Sequence, residues 1–478
     1  MLHKASGVGI YRKPLQNGQF LPIFVWLVRA SRATFLLHSM TNRTVLYWSF
    51  VVALGGFLFG FDTAVISGAE RAIQQLWHLT ATQHGLTISI ALIGTVIGSL
   101  VGGIPADRLG RRATLVGIAV IYLVSALGSA LATDWYVFLG FRFLGGLGVG
   151  ASSVAAPLYI SEVSPAASRG RMVAMFQINI VAGILVAYFS NYLLLGLGDN
   201  AWRWMLGVQV VPSVLFMLGL LGVPESPRWL LLKRGDRATA LATLQKIDPA
   251  TADETLAAIT RSLPENSPQM TRKANLFSPA YRFPVTLAVL FAVFNQVSGI
   301  NAIIYYAPRI FEMAGLGASS ALLSTAGVGL INFLFTVLAL NFIDRFGRRS
   351  LMRIGSVGLV ITLGLVARAF ATEDFGGITV PVLLFVYIAF FAFSQGAVIW
   401  VFISEIFPNE VRASGQALGS FTHWIMATVV AVSFPILTER FGPATLFAFF
   451  CAMMVLQGLF AWRLMPETKG TSLEGSVG

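Results

Sequence analysis

Apolar residues along the chain form long runs with few charges inside them. Windows of about 20 apolar residues, the length that a helix needs to cross a hydrocarbon core of ~30 Å, recur twelve times. Backbone groups in lipid must be hydrogen-bonded internally, so each run is expected to be a helix. The pattern predicts an all-α membrane protein with twelve transmembrane helices. The predicted spans are centred near Leu58, Val96, Val120, Gly146, Gly183, Val214, Phe294, Phe333, Val360, Ala389, Ala427 and Met454.

The arginines beside these runs are divided unevenly between the two sides of the membrane. With the N-terminus inside, ten arginines lie in or beside the short inner loops and five lie in the outer loops. Because positively charged loops tend to stay in the cytoplasm, both termini are expected to be cytoplasmic.

One long polar segment separates the sixth and seventh spans. Residues 224–282 contain PESPRWLLLKRGDRATALATLQKI, with helical spacing and caps, and then TADETLAAITRSL, with acids in its first turn. We expect a small cytoplasmic helical loop here. A disordered linker is the alternative.

Segments of the first half recur in the second half. GGIPADRLGRRATL (102–115) returns as LNFIDRFGRRSLM (340–352), YISEVSPAASRGR (159–171) as FISEIFPNEVRAS (402–414), and PESPRWL more weakly as PETKG. Two parallel six-helix halves joined by a long loop are typical of a rocking transporter. The predicted divisions are an N-terminal cytoplasmic extension (1–40), the first half (41–223), the loop (224–282), the second half (283–466) and a cytoplasmic tail (467–478).

The N-terminal extension fits the pattern poorly. Its apolar run, Phe20 to Val28, has nine residues and is too short to span. A cytoplasmic extension and translation from an upstream start codon are the main interpretations, and a signal peptide is a weaker one.

Two opposite charges lie inside predicted spans. Asp62 stands in GGFLFGFDTAVISG and Arg142 in YVFLGFRFLGGLGVG. A charge at membrane depth is costly unless it faces protein or water and has a partner, so such residues usually mark a transport pathway. Asp62 and Arg142 are therefore the candidate proton-coupling pair.

Composition excludes several other classes of protein. The 478 residues are 56% hydrophobic and only 11% charged, which is too few charges for a soluble protein of this size. The net charge of +12 reflects basic residues that flank the spans, so no nucleic-acid partner is expected. The single cysteine, Cys451, excludes an internal disulfide and argues against a thiolate metal site. Neither a metal nor a cofactor is expected.

Charged residues recur at the predicted inner ends of the spans. A DRxGRR hexad follows the second and the eighth spans, and two glutamates each precede an arginine by seven residues. These patterns suggest ion pairs that hold the inner face. The candidate residues are Asp107 and Arg111, Asp344 and Arg348, Glu162 and Arg169, and Glu405 and Arg412.

The paired hexads resemble the major facilitator superfamily. GFLFGFDTAVISG, RFLGGLGVG, PESPRWL, QVSGINAIIYYAP and SEIFPNEVR resemble its sugar porter branch more closely, over about residues 45 to 470. That branch includes bacterial proton-coupled sugar symporters and animal glucose facilitators. The resemblance implies the major facilitator fold and a monosaccharide substrate.

The resemblance also implies a sugar site, position by position. Amides would donate to and accept from sugar hydroxyls, and tryptophan faces would cover the C–H surface of the sugar. Tyr305 and Tyr306, one helical turn beyond the amides of the seventh span, are contact and gate candidates. Any one amide could instead join helices. The implied substrate-binding residues are Gln177, Asn295, Gln296, Asn301, Tyr305, Asn332, Trp400, His423 and Trp424.

Some positions depart from the pattern of the branch. Ile184 stands where some bacterial members have a second glutamine, Gln395 replaces an aromatic or small residue, His423 replaces an amide, and Ala427 removes an asparagine. These departures leave the identity of the sugar open. His423 is interpreted as a neutral donor in place of the amide, with a titrating role as the alternative.

The sequence therefore predicts a sugar–proton symporter of the plasma (inner) membrane that works by alternating access, with one chain as the functional unit. Its partners are a monosaccharide, the proton and the lipid bilayer. A facilitator is the main alternative, but facilitators of the branch usually have a neutral residue in place of Asp62. A sugar sensor is a further alternative, although sensors of the branch usually have a long cytoplasmic tail. An enzyme is not expected, because no paired carboxylates, metal spacing or nucleophile constellation is present.

Overall fold

Helices make up almost all of the chain that the structure describes. This computed structural model describes residues 42–165, 168–261, 275–408 and 411–469, and no strand occurs within those ranges. The predicted N-terminal extension and most of the predicted tail lie outside them.

The first half contains six spans. A short helix, Gly103–Arg108, follows span 2, and span 6 consists of two consecutive helices. The spans are span 1, Arg43–Leu76; span 2, Ala81–Val101; span 3, Arg111–Leu131; span 4, Trp135–Val163; span 5, Arg169–Leu194; and span 6, Ala201–Gly207 with Val210–Leu221.

The long polar segment is helical where the structure describes it. Its elements are Pro227–Trp229 with a π turn to Arg234, then Arg237–Ile247 and Ala252–Arg261. Asp236 caps the second of these helices by accepting a hydrogen bond from the backbone N–H of Thr239 at 3.0 Å.

The second half repeats the arrangement with broken spans. Spans 7 and 10 are each interrupted, and spans 11 and 12 lie in one helical stretch, Arg412–Arg463, that breaks at Gly442. The spans are span 7, Arg282–Gln296 and Ile300–Met313; span 8, Ala318–Phe346; span 9, Arg348–Thr372; span 10, Thr379–Phe391 and Ala397–Glu405; and spans 11 and 12, residues 412–441 and 443–463.

Ten helical stretches in the described residues are long and apolar enough to cross a membrane, and they account for the twelve predicted spans. Two of them, Arg169–Leu221 and Ser414–Arg463, contain 53 and 50 residues, about twice the length that one span needs. Each is broken by a glycine with positive φ, Gly198 at 76° and Gly442 at 75°. Each long stretch is therefore two spans.

Glycines allow the spans to pack closely. A Cβ atom at Gly60 of span 1 would collide with the carbonyl oxygen of Ile180 in span 5, and one at Gly146 of span 4 would collide with that of Ala91 in span 2. The two halves meet where span 5 packs against span 8 and span 2 packs against span 11.

Matching contacts hold the end of the bundle that carries the two hexads, which we name the DRxGRR end. The carboxylate of Glu225 accepts hydrogen bonds from the backbone N–H of Arg111 at 2.9 Å and of the next residue at 3.1 Å. Glu467 accepts from the backbone N–H of Arg348 at 2.8 Å and of the next residue at 3.0 Å. Each glutamate thus caps the first turn of span 3 or span 9. The weak repeat of PESPRWL as PETKG corresponds to the same contact in both halves.

The predicted pairing of Glu162 with Arg169 is wrong. Oε2 of Glu162 lies 3.1 Å from Nε of Arg111, whereas Nε of Arg169 donates to the carbonyl of Ser161 at 3.1 Å. The regular spacing of seven residues crosses a turn between spans 4 and 5. Spans 3 and 4 pack side by side. The arginine of span 3 therefore lies closest to the glutamate of span 4.

The second half has the matching ion pair, between the glutamate of span 10 and the first arginine of span 9. Glu405 pairs with Arg348 at 2.8 Å, and Nε of Arg412 donates to the carbonyl of Phe407 at 3.1 Å. Asp107 does pair with Arg111, at 3.1 Å, four residues away across the turn between the short helix and span 3. The side chain of Asp344 lies outside the described part of the chain.

Candidate transport site

Asp62 and Arg142 form an ion pair in the middle of the first half. Nη1 of Arg142 lies 2.8 Å from Oδ1 of Asp62, and the side chain of each is 2% exposed. Nη2 of Arg142 also donates to the backbone carbonyl of Asp62 at 3.1 Å. The pair joins span 1 to span 4. The structure therefore brings together the two charges that the sequence placed inside spans.

The second half approaches this pair through Tyr305 of span 7. The tyrosine is 2% exposed, and it interacts electrostatically with both Arg142 and Asp62. Tyr188 of span 5 donates a hydrogen bond to the carbonyl of Ile304 at 2.7 Å. Span 7 is thus in contact with the half that carries the buried charges.

Span 7 is interrupted at its amide residues. Gly299 has φ 87° and ends the helix that contains Gln296, and the helix that contains Asn301 begins at the next residue. A left-handed conformation is inexpensive for glycine. In transporters, discontinuous helices near the midplane typically form substrate sites.

The amides of span 7 form a connected group with His423 of span 11. Nδ2 of Asn301 donates to Oε1 of Gln296 at 2.6 Å, and Nε2 of Gln296 donates to Oδ1 of Asn295 at 3.0 Å. Nε2 of Gln296 also lies 3.1 Å from Nε2 of His423. All four residues are at least nine-tenths buried. Four of the predicted substrate-binding residues therefore meet in one group.

Aromatic rings enclose the histidine. The ring centroid of His423 lies 4.8 Å from that of Trp400 in span 10 and 4.9 Å from that of Trp424. Trp424 also contacts Phe59 of span 1, with 5.5 Å between ring centroids. The aromatic group therefore reaches across to the first half.

Two of the predicted amides are not joined to this group by hydrogen bonds. Gln177 of span 5 is half-buried and has no hydrogen-bond partner among the described residues. Asn332 is 9% exposed and has a weak contact, at 3.5 Å, with Thr336 of its own helix. Both have hydrogen-bonding capacity that the protein does not use.

The departures from the branch pattern lie in buried positions. Ile184, Gln395 and Ala427 are each at most 6% exposed. Nε2 of Gln395 lies 3.2 Å from Sδ of Met454 in span 12, so this side chain is directed away from the amides. It lies in the π segment Ala392–Gly396 that interrupts span 10.

A charged cluster at the other end of the bundle, which we name the opposite end, was missed by the sequence analysis. Glu70 of span 1 is bound by Arg309 of span 7, with 2.9 Å between Oε2 and Nη2, and lies 2.7 Å from Nε2 of His84 in span 2. A second pair, Arg71 and Glu312, also crosses between the halves. The available signal was Glu70, eight residues after Asp62 in the same helix. Charges near the ends of spans are ordinarily attributed to the membrane interface. The sequence pattern therefore does not indicate that these residues form a buried cluster.

Tyr306, the gate candidate, lies next to this cluster. It is fully buried, stacks on Phe434 with 4.8 Å between ring centroids, and donates to the carbonyl of Ala431 at 3.0 Å. Its ring also faces His84 of the first half at 5.9 Å. Tyr306 therefore contributes to the contact between the halves at the opposite end.

A family model described as Sugar (and other) transporter matches residues 48–476. The chain belongs to that family. It therefore has the twelve-span major facilitator fold of the sugar porters, as the sequence predicted.

Sugar porters with assigned substrates are among the relatives of this chain. It is 40% identical over 444 residues to the arabinose-proton symporter of Bacillus subtilis, covering 91% of this chain and 95% of that one. It is 36% identical over 465 residues to the D-xylose-proton symporter of Escherichia coli, covering 89% and 93%.

Solved structures of a sugar porter have the same fold. The inward-open xylose transporter of E. coli matches with a TM-score of 0.80 and 34% identity, over 90% of this chain and 99% of that one. Its partially occluded inward-open form gives 0.79 at 33% identity, over 90% and 100%. The proton–xylose symporter bound to 6-bromo-6-deoxy-D-glucose gives 0.72 at 34% identity, over 90% and 98%.

Proposed function

We propose that this sugar porter imports a monosaccharide together with a proton by alternating access. The observation that carries the proposal is the buried ion pair between Asp62 and Arg142. Such a pair costs desolvation energy and is weak evidence for stability, whereas it gives a carrier a group that can change charge during the cycle. Both termini and the DRxGRR end are cytoplasmic in this proposal, and the protein resides in the plasma (inner) membrane.

The ion pair offers a direct coupling device. When Asp62 is ionised, Arg142 holds it at the junction of spans 1 and 4. When Asp62 is protonated, the charge attraction is lost and Arg142 keeps the weaker bond to the backbone carbonyl of Asp62. The two charge states therefore favour different positions of span 1, which also contacts the second half through Phe59 and Trp424.

The contacts between the halves support an inward-facing orientation. Glu70–Arg309 and Arg71–Glu312 join the halves at the opposite end, which is extracellular in this proposal. At the DRxGRR end, Glu225 and Glu467 each bind within their own half. The higher TM-scores against the inward-open forms of the E. coli transporter agree with this orientation.

The substrate is a pentose or a hexose that binds among the amides and aromatic rings of spans 7, 10 and 11. Gln296, Asn301 and His423 supply donors and acceptors, and Trp400 and Trp424 supply apolar faces. Gln177 and Asn332, whose amides have unused capacity, contribute from spans 5 and 8. The names of the relatives favour arabinose, xylose and glucose as the first sugars to examine.

Transport in proteoliposomes tests the proposal. Radiolabelled arabinose, xylose, glucose and galactose are offered with and without an imposed pH gradient, acid outside. We expect at least one sugar to accumulate above its external concentration, and a protonophore to abolish the accumulation. If a sugar only equilibrates, equally with and without the pH gradient, the protein is a facilitator. If no monosaccharide shows saturable uptake, sugar transport is refuted.

A further inference from the structure

His84 is buried next to a carboxylate at the extracellular end, far from the coupling pair. It is fully buried, and its Nε2 lies 2.7 Å from Oε2 of Glu70. Glu70 is eight residues, or about 12 Å along the helix, beyond Asp62. The cluster is therefore separate from the Asp62–Arg142 pair.

The imidazole has one close charged neighbour in this orientation, the carboxylate of Glu70. Its Nε2 lies 2.7 Å from a carboxylate oxygen of Glu70, although the two groups are not aligned as a hydrogen bond. Nδ1 is buried and has no hydrogen-bond partner among the described residues. An imidazolium has two N–H donors, so charging His84 here would bury one of them unpaired. An additional proton on Nδ1 would therefore need a partner that the described residues do not provide in this orientation.

The charged groups around His84 come from both halves. Glu70 and Arg71 belong to span 1, and Arg309 and Glu312 belong to span 7. Arg309 is the nearest cation, since it binds the same carboxylate as His84. Tyr306 faces the ring, Glu439 of span 11 lines a cavity with Arg309, and Asp134 is engaged in capping span 4.

That cavity provides access from outside. It has a volume of about 490 Å³ and is lined by residues that include Gln74, Arg309, Thr438 and Glu439. Arg309 lies between the cavity and Glu70, because it binds both Glu70 and Gln74. Separation of the halves would move Arg309 away and expose Glu70 and then His84 to the extracellular solution.

We propose that His84, with Glu70 and Arg309, forms a second proton-binding site that controls the extracellular gate. A proton from the external solution binds Nδ1 of His84 when the gate opens, and it returns to that solution before the gate closes. The imidazolium would compete with Arg309 for Glu70 and repel the guanidinium, so protonation favours the outward-open orientation. External acid thus holds the carrier open toward the side from which it loads. The proposal uses the alternation of orientations proposed above but not the identity of the sugar.

Labelling of a reporter cysteine measures the orientation without transport. In a Cys451→Ser background, Thr438→Cys places a thiol in the extracellular cavity. Its rate of reaction with a membrane-impermeant maleimide is measured in sugar-free proteoliposomes, at about pH 5.5 and about pH 7.5 on both sides, values on either side of the ordinary pKa of histidine. The rate in the protein with His84 is divided by the rate with His84→Gln. This ratio removes the pH dependence of the thiol and of Asp62.

We expect the ratio to rise about threefold or more on acidification. His78→Asn, a change at an exposed histidine of the same end, should retain the response of the parent protein. Glu70→Gln removes the carboxylate that holds Arg309, so labelling should be fast at both pH values. A ratio that stays constant or falls on acidification overturns the proposal, as does slow labelling of Glu70→Gln at the higher pH. Since labelling needs no sugar, these outcomes are distinct from a failure to accumulate sugar.

Discussion

Arg142 holds Asp62 through two of its nitrogens: Nη1 contacts Oδ1 at 2.8 Å, and Nη2 donates to the backbone carbonyl of the same residue at 3.1 Å. One of these contacts depends on the charge of the carboxylate and the other does not. A protonated Asp62 is therefore still held in place, but more weakly. This difference makes the pair suited to coupling a charge change to a movement of span 1.

Asp62→Asn should abolish uphill accumulation of sugar and leave exchange across the membrane measurable. The amide has the size of the protonated acid but can neither bind nor release a proton, and the amides proposed to bind the sugar lie in other spans. The measurement is uptake into proteoliposomes with and without a pH gradient, together with sugar binding in detergent. Glu254→Gln, at an exposed carboxylate of the central loop, is the control for loss of an acid. A variant at Asp62 that still concentrates sugar would place coupling elsewhere.

Gln296→Ala should weaken sugar binding by about 1–3 kcal/mol, the usual effect of leaving a buried partner unpaired, or roughly fivefold to 150-fold in Kd. Gln296 contacts Asn295, Asn301 and His423, so its loss disturbs the whole group. Binding is measured by calorimetry or by tryptophan fluorescence in detergent. Gln457→Ala removes an equally buried amide that bonds Ser356 between spans 9 and 12, and it should leave the affinity unchanged.

Gln177→Ala should weaken binding in the same direction with little effect on stability. Gln177 has no hydrogen-bond partner among the described residues, so its removal leaves no protein group unsatisfied. Affinity and the midpoint of thermal unfolding are measured on the same sample. Wild-type affinity in this variant and in Gln296→Ala together would mean that the sugar binds elsewhere.

Glu225→Ala should lower the thermal stability more than Glu467→Ala. Both carboxylates cap a helix through two backbone N–H groups, but Glu225 is half-buried and Glu467 is exposed. The expected loss is about 1–2 kcal/mol for Glu225, and Glu254→Ala at an exposed site of the central loop serves as the reference. Thermal unfolding in detergent is the measurement, and an equal effect of the two caps would contradict the role of burial.

Gly60→Ala should impair folding, because its methyl group would meet the carbonyl oxygen of Ile180 where spans 1 and 5 cross. Overpacking of this kind costs about 1–3 kcal/mol. Gly117→Ala, in span 3 with nothing near the added methyl group, should be tolerated. The yield of monodisperse protein on size-exclusion chromatography compares the two variants.

Much of the fold was accessible from the sequence, and so was part of the site. The length of each apolar run predicted the spans, and the repeated hexads predicted two related halves. The buried pair of Asp62 and Arg142 followed from the cost of charge in lipid. The partners of Glu162 and Glu405 did not follow, because the repeated spacing of seven residues says nothing about which helices lie side by side.

The sequence by itself determined the number of spans, their division into halves and the two residues charged at membrane depth. These features depend on hydrophobicity and length, which are properties of each segment alone. Only the tertiary structure decided which side chains are in contact. Arg111 binds Glu162, and Gln296 lies beside His423. Glu70 contacts His84 and Arg309, which belong to two other spans. Such contacts depend on how each helix is rotated about its axis and which neighbour it faces. In lipid, apolar residues cover nearly the whole surface of a span, so the hydrophobic pattern carries little information about that rotation.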